Sequence, residues 1–174
     1  MKKGFVQVYT GDGKGKTTAA IGLAVRCAGS GNRVFIVQFM KAMKTGELLT
    51  LEKIENIEIF RVCETTKFSF EWTERERNQE RDNARSCIDR IKEKLKTGID
   101  LLILDEALGA ISAEVLTEDD VLGIMESRPE ETEIVITGRG LPKRIAEKAD
   151  LITEMLPIKH YMEKGVNARK GIEF

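Results

Sequence analysis

Thr10-Gly11-Asp12-Gly13-Lys14-Gly15-Lys16-Thr17-Thr18 decides the fold. Ahead of it, Phe5-Val6-Gln7-Val8-Tyr9 is an apolar, β-branched run of strand length. Behind it, residues 19–25 (Ala-Ala-Ile-Gly-Leu-Ala-Val) form helix with an apolar face. A strand, a glycine-rich loop, Lys-Thr and a helix are together the context a phosphate-binding loop requires. Glycines allow backbone N–H groups to turn inward around phosphate oxygens, and the helix N-terminus adds the positive end of its dipole. On this reading residues Thr10 to Thr18 hold a nucleotide polyphosphate. Lys16 supplies a mobile charge to the outer phosphates, and Thr17 offers its hydroxyl to magnesium. The loop departs from the usual pattern: Thr10 stands where a glycine is customary, and Lys14 adds a second cation.

A second chemical signal is Ile99-Asp100-Leu101-Leu102-Ile103-Leu104-Asp105-Glu106, a buried strand that delivers two carboxylates to its C-terminal edge. In a phosphate-loop protein, Asp105 and Glu106 then lie near the bound magnesium, directly or through water. Glu133 to Thr137 is a further strand, followed by the turn Gly138-Arg139-Gly140 on the same sheet edge. Arg139 is either a triphosphate or second-substrate contact, or a surface arginine in a turn.

The remaining pattern alternates strand and helix. Strands are read at residues 33–39, 57–62 and 151–155, and short helices at 46–53 and 142–149. Thr73 with Glu76 forms a capping box opening a long helix, whose Ala84, Ile88, Ile91 and Leu95 share one face and which Gly98 closes. Its other charges read as a solvated surface. Thr117 with Asp120 opens another helix, ended by Pro129. Phe68, Phe70 and Trp72 cluster in an irregular stretch, as a core plug or a ligand platform. The loop from Met40 to Thr45 is rich in Lys and Met. The single histidine, His160, reads as structural. The expectation is a single domain over residues 1–174, α/β, with a mostly parallel sheet and helices on both faces.

Composition narrows the function. A net charge of −1 gives no footprint for nucleic acid. Three cysteines (Cys27, Cys63, Cys87), far apart and without metal-ligand spacing, read as free thiols of a reducing compartment. No segment reaches membrane-spanning length and no signal peptide opens the chain, so a cytoplasmic protein is expected.

Taken in order, the loop at residues 11–18, Phe70-Glu71-Trp72, Leu104-Asp105-Glu106, Thr137-Gly138-Arg139-Gly140, Ala149 to Met155 and the tail from Lys159-His160 to Gly171-Ile172-Glu173 closely resemble the phosphate-loop ATP:corrinoid adenosyltransferases. The likeness runs from Phe5 to Phe174, and the extra loop lysine is itself a family trait. The resemblance implies a P-loop NTPase-like (RecA-like) fold and an unusual reaction. A corrinoid reduced to Co(I), by a donor such as a flavoprotein, attacks ribose C5′ of ATP, and triphosphate leaves. Because the nucleophile belongs to the corrinoid, the protein needs no catalytic base. Its tasks are in-line placement and stabilisation of the departing charge, for which Lys14, Lys16, the loop amides and Mg²⁺ on Thr17 and Glu106 are suited. Phe70 and Trp72 match a family pair that packs against the corrin and excludes its lower axial ligand, easing reduction from Co(II); Phe68 stays with the core. A homodimer is implied. Family members carry a longer N-terminal arm over the site, whereas here nine residues precede the loop, so another segment must close it or the site is more open. Two alternatives stand beside this reading. One is a phosphoryl-transferring ATPase or kinase; the other is a non-catalytic ATP sensor.

Overall fold

The structure, a computed structural model, describes residues 3–40, 45–67 and 69–174. Lys41 and Lys44, the lysines of the loop between Met40 and Thr45, and Phe68, read as a core residue, lie outside the described residues. Among the described residues, six strands form one sheet: β1 (Val6–Thr10), β2 (Val34–Gln38), β3 (Ile57–Arg61), β4 (Leu101–Asp105), β5 (Glu133–Thr137) and β6 (Leu151–Glu154). Their order is β3-β2-β4-β5-β1-β6, and every neighbouring pair is parallel. The sheet is thus wholly parallel, with β5 inserted between β1 and β4. Helices α1 (Lys16–Gly29), α2 (Gly46–Leu51), α3 (Glu74–Lys96), α4 (Ala107–Ser112), α5 (Glu118–Ser127) and α6 (Lys143–Lys148) connect the strands.

Strand alternation sorts the core into two layers. Val34, Ile36, Leu101, Ile103 and Val135 point to one face, where Ala20, Ala24 and Ala28 of α1 and Leu51 of α2 cover them. Phe35, Val37, Leu102, Leu104, Ile134 and Ile136 point to the other, under α3, α4, α5 and α6. Because β2 and β4 are buried along their whole length, they carry unbroken apolar runs, as expected of strands covered on both sides. The small side chains of α1 let that helix lie close to the sheet, which fixes the direction in which its first turn points.

α3 begins where the capping box was read. The Thr73 side chain accepts from Glu76 N–H, and the Glu76 carboxylate accepts from Thr73 N–H. Ala84, Ile88, Ile91 and Leu95 are buried, as their spacing predicts. Not every charge on this helix is solvated. Glu80 is buried and accepts the N–H groups of Glu64 and Thr65, while Arg77 donates to the carbonyls of Ala113 and Ser69. Both tie the irregular stretch at residues 63–72 to α3. Lys67 above all, then the Thr73 N–H and hydroxyl, hold the Glu76 carboxyl down at about 2 from an ordinary 4.5. A folded value below the unfolded one means that the stabilisation is complete above 4.5 and is lost as pH falls through about 2. Glu76→Gln therefore lowers the melting temperature at pH 7. Thermal melts across pH should show the gap from the parent chain closing between pH 4.5 and 2; a gap independent of pH would refute this account.

The C-terminal end of β4 differs from the sequence reading in a way that matters to the site. β4 ends at Asp105, not Glu106, and a short helix, α4, follows at once. Glu106 takes the left-handed conformation (φ 58°), unusual for a non-glycine residue, and its N–H is held by the Thr137 hydroxyl at 2.9 Å. That turn swings the Glu106 side chain out of the strand direction.

Candidate functional site

The loop after β1 enters α1 through Gly15, whose φ of 119° favours a residue without Cβ. Gly13 is required by close approach: its N–H donates to the Met155 carbonyl at 2.7 Å, and a Cβ there would stand 2.6 Å from that same oxygen. The end of β6 is thus pressed against the loop and sets its curvature. Lys16, only 7 % exposed, folds over the loop and donates to the carbonyls of Gly11 (2.6 Å) and Gly13 (2.8 Å). Burial pushes its ammonium pKa down, and Arg139 adds to that, while Glu106 and Asp12 pull the other way.

Asp105 is buried behind the loop. One carboxylate oxygen accepts the hydroxyls of Thr17 and Thr137, each at 2.8 Å, and the other accepts the Gln38 amide at 3.2 Å. The ends of β2, β4 and β5 and the first turn of α1 are joined through this one side chain. Gln38 was not singled out from sequence, and Thr137 was quoted only as the start of the turn to Arg139; their position at the C-terminal ends of the two strands that flank β4 is the signal that finds them.

A cleft of about 740 Å³ opens over the loop. Its walls include Asp12 to Thr18, Glu106 and Arg139, together with Ile21, Thr45, Gly46, Glu47 and Thr50. The chain's C-terminal segment, Gly171 to Phe174, supplies another wall, with His160 beside it. Glu106 therefore faces the cleft, whereas Asp105 stands one layer back. Arg139 is exposed and lies against the loop, its guanidinium 3.5 Å from the Asp12 carboxylate and donating to the Asp12 carbonyl at 3.4 Å. Thr10 is buried at the end of β1, paired in register with Glu154. Lys14 does not point into a void: its ammonium meets Tyr161 Oη at 2.8 Å and the Glu173 carboxylate at 2.5 Å, both from the tail. These partners raise the pKa of Lys14, Glu173 the more strongly. Sequence reading missed Ile172, Glu173 and Phe174 as walls of the cleft and Tyr161 as a partner of Lys14, since nothing in a polar tail announces where it docks.

Phe70 and Trp72 part company. Trp72 is 8 % exposed within the main core cluster, its Nε1 donating to the Lys67 carbonyl at 3.2 Å. Phe70, on the 3-10 turn Ser69–Glu71, is 81 % exposed. Neither lines the cleft over the phosphate loop.

A glycine-rich loop between a parallel strand and a helix, a buried lysine in it, and a strand-end aspartate on the Thr17 hydroxyl define a P-loop nucleotide-binding protein. Sequence comparison narrows this further. The chain matches the family described as "ATP:corrinoid adenosyltransferase BtuR/CobO/CobP" over residues 2–174, and it belongs to that family. It is 35 % identical to the corrinoid adenosyltransferase of Escherichia coli K12, the alignment covering 99 % of this chain and 87 % of that protein. It is 34 % identical to the corrinoid adenosyltransferase CobA of Salmonella typhimurium LT2, with the same coverage. A corrinoid adenosyltransferase of Pseudomonas aeruginosa PAO1 is 33 % identical, over 99 % of this chain and 85 % of that protein.

Proposed function

We propose that this chain transfers the 5′-deoxyadenosyl group of ATP to the Co(I) centre of a reduced corrinoid, in adenosylcobalamin synthesis or salvage. The observation that carries this reading is the match of the family from end to end of a chain that also builds the phosphate cleft. In the reaction, an electron pair of the Co(I) substrate forms the cobalt–carbon bond at C5′. The C5′–O bond breaks, and its pair leaves on triphosphate. Lys16 and the loop amides meet the charge that develops on the leaving group, and Arg139 is placed at the rim of the same cleft.

Magnesium fits the donors present. Thr17 and Asp105 bring oxygen atoms to 2.8 Å from one another, and Glu106 faces the cleft beside them. No group of three or more His, Cys, Asp or Glu suited to a metal exists among the described residues. That suits an ion completed by phosphate oxygens and water, with one or two carboxylates from the protein. Bound there, it would neutralise part of the triphosphate charge.

The corrinoid side of the site is assigned to residues 69–72, with Phe70 as the exposed aromatic and Trp72 buried in the core. Phe70→Ala should leave the melting temperature unchanged, since the side chain is almost wholly exposed. It should slow adenosylation that starts from Co(II) by about tenfold, while the rate from chemically reduced Co(I) changes little. Equal losses from both starting states, measured spectroscopically, would remove Phe70 from this role.

The 174 residues act as one domain, supported by the single sheet. The protein works as a homodimer, supported by the open edge of β6, where Leu151 and Ile152, with Leu156 and Ile158 beyond, are exposed. It draws electrons from a reductant such as a flavoprotein. It is placed in the cytoplasm, in keeping with the lack, among the described residues, of any helix long and apolar enough to cross a membrane. The test of the whole reading is incubation with MgATP and reduced cobalamin. A light-sensitive cobalt–carbon product and stoichiometric free triphosphate are expected; ADP or phosphate with unalkylated cobalt would overturn it.

A further inference from the structure

The tail after β6 folds back on the phosphate loop through one carboxylate. Beyond the 3-10 turn Tyr161–Lys164, residues 165–174 curl so that Glu173 N–H donates to the Arg169 carbonyl at 2.9 Å. The Glu173 side chain, 18 % exposed, then gathers four donors. They are the Arg169 N–H at 2.7 Å, the Arg169 guanidinium at 3.3 Å, the Tyr161 hydroxyl, and the Lys14 ammonium 159 residues away. The Tyr161 ring has the Arg169 guanidinium carbon 4.8 Å and the Lys14 ammonium 5.5 Å from its centroid. An isolated exposed ion pair contributes little, but a carboxylate shared among four donors from three stretches of chain fixes geometry.

Its two chain neighbours, Ile172 and Phe174, stand in the wall of the phosphate cleft. The cluster sets two cationic side chains, Lys14 and Arg169, around the one side-chain carboxylate of Glu173.

We propose that Glu173 is a positioning residue for the nucleotide. It fastens the C-terminal segment to Lys14, which makes Gly171 to Phe174 a fixed wall of the ATP cleft and holds the Lys14 ammonium at its mouth. This rests on reading the cleft as the ATP site. Arg169 and Lys170 are exposed trypsin sites within the fastened segment, so loosening of the tail is measurable without nucleotide.

The experiment compares the full chain with Glu173→Gln and Glu173→Asp. Three quantities are followed: tryptic release of the C-terminal residues, MgATP affinity by calorimetry, and steady-state kinetics. Glu173→Gln should release the tail about tenfold faster and bind MgATP about tenfold more weakly, the scale of one charge-assisted hydrogen-bond set. The KM for ATP should rise by more than kcat falls. Glu173→Asp, which keeps the charge on a shorter arm, should recover part of both effects. A tail released at the parent rate overturns the proposal. So does a loosened tail, or a lowered melting temperature, with undiminished ATP affinity. If the parent chain binds MgATP but alkylates no cobalt, the adenosyltransferase reading fails, while tail release and ATP affinity still decide the role of Glu173.

Discussion

Lys16→Ala is expected to bring adenosyl transfer down by at least about 100- to 1,000-fold, the scale on which removal of one preorganised charge-stabilising donor acts. Lys16 is the buried cation of the loop, held by the carbonyls of Gly11 and Gly13 in a position it reaches without solvent in between. Burial disfavours the charged form of Lys16, and a polyanion in the cleft would favour it. Binding energy is therefore tied to charge on the phosphates, and it grows as negative charge accumulates on the departing triphosphate. The substitution also strips the donor from the Gly11 and Gly13 carbonyls, so a modest fall in melting temperature accompanies it, and the rate is compared at a temperature where both proteins are folded. Product formation from MgATP and chemically reduced cobalamin measures the effect directly. A Lys16→Ala protein that alkylates cobalt at the parent rate would show that the leaving group is stabilised elsewhere.

Asp105→Ala is expected to damage both stability and turnover. The carboxylate is buried and accepts from Thr17, Thr137 and Gln38, which belong to α1, β5 and β2. Its loss strips the acceptor from three donors at the junction of those elements. At roughly 1 kcal/mol or more for each donor left without its partner, the fold should lose about 3 kcal/mol. For a chain of this size that is a fall of about 10 °C in melting temperature. Turnover should fall further than stability accounts for, because the Thr17 hydroxyl loses its anchor and Thr137 positions the Glu106 N–H. Thermal melts and rates compared with Asp105→Asn separate the two effects. Asparagine keeps an acceptor in place and should recover most of the stability while leaving turnover low. If Asp105→Asn matches the parent rate, the carboxylate charge has no part in the reaction.

How far the molecule could be read from sequence depends on how local each interaction is. The loop between β1 and α1, the Thr73–Glu76 capping box and the apolar stripe of α3 involve residues within a few positions of one another, and spacing alone announced them. Strand positions were legible for the same reason, with ends shifted by a residue or so. The turn at Glu106 escaped notice because a positive φ at a glutamate has no sequence signature. Glu80 was read with the solvated charges of α3, since charge pattern does not say which single carboxylate will meet two backbone N–H groups.

By itself the sequence determined the parallel α/β class, the phosphate loop and the family, because strand and helix periods and the Gly-Lys-Thr pattern are written in adjacent residues. Only the tertiary structure decided that β5 lies between β1 and β4, and that Asp105 reaches Thr17 while Glu106 faces the cleft. The inward turn of Trp72, the outward turn of Phe70 and the docking of Glu173 on Lys14 belong with these. Each joins residues far apart in the chain, and such contacts are set by strand register and by competition for buried space, which no local period encodes.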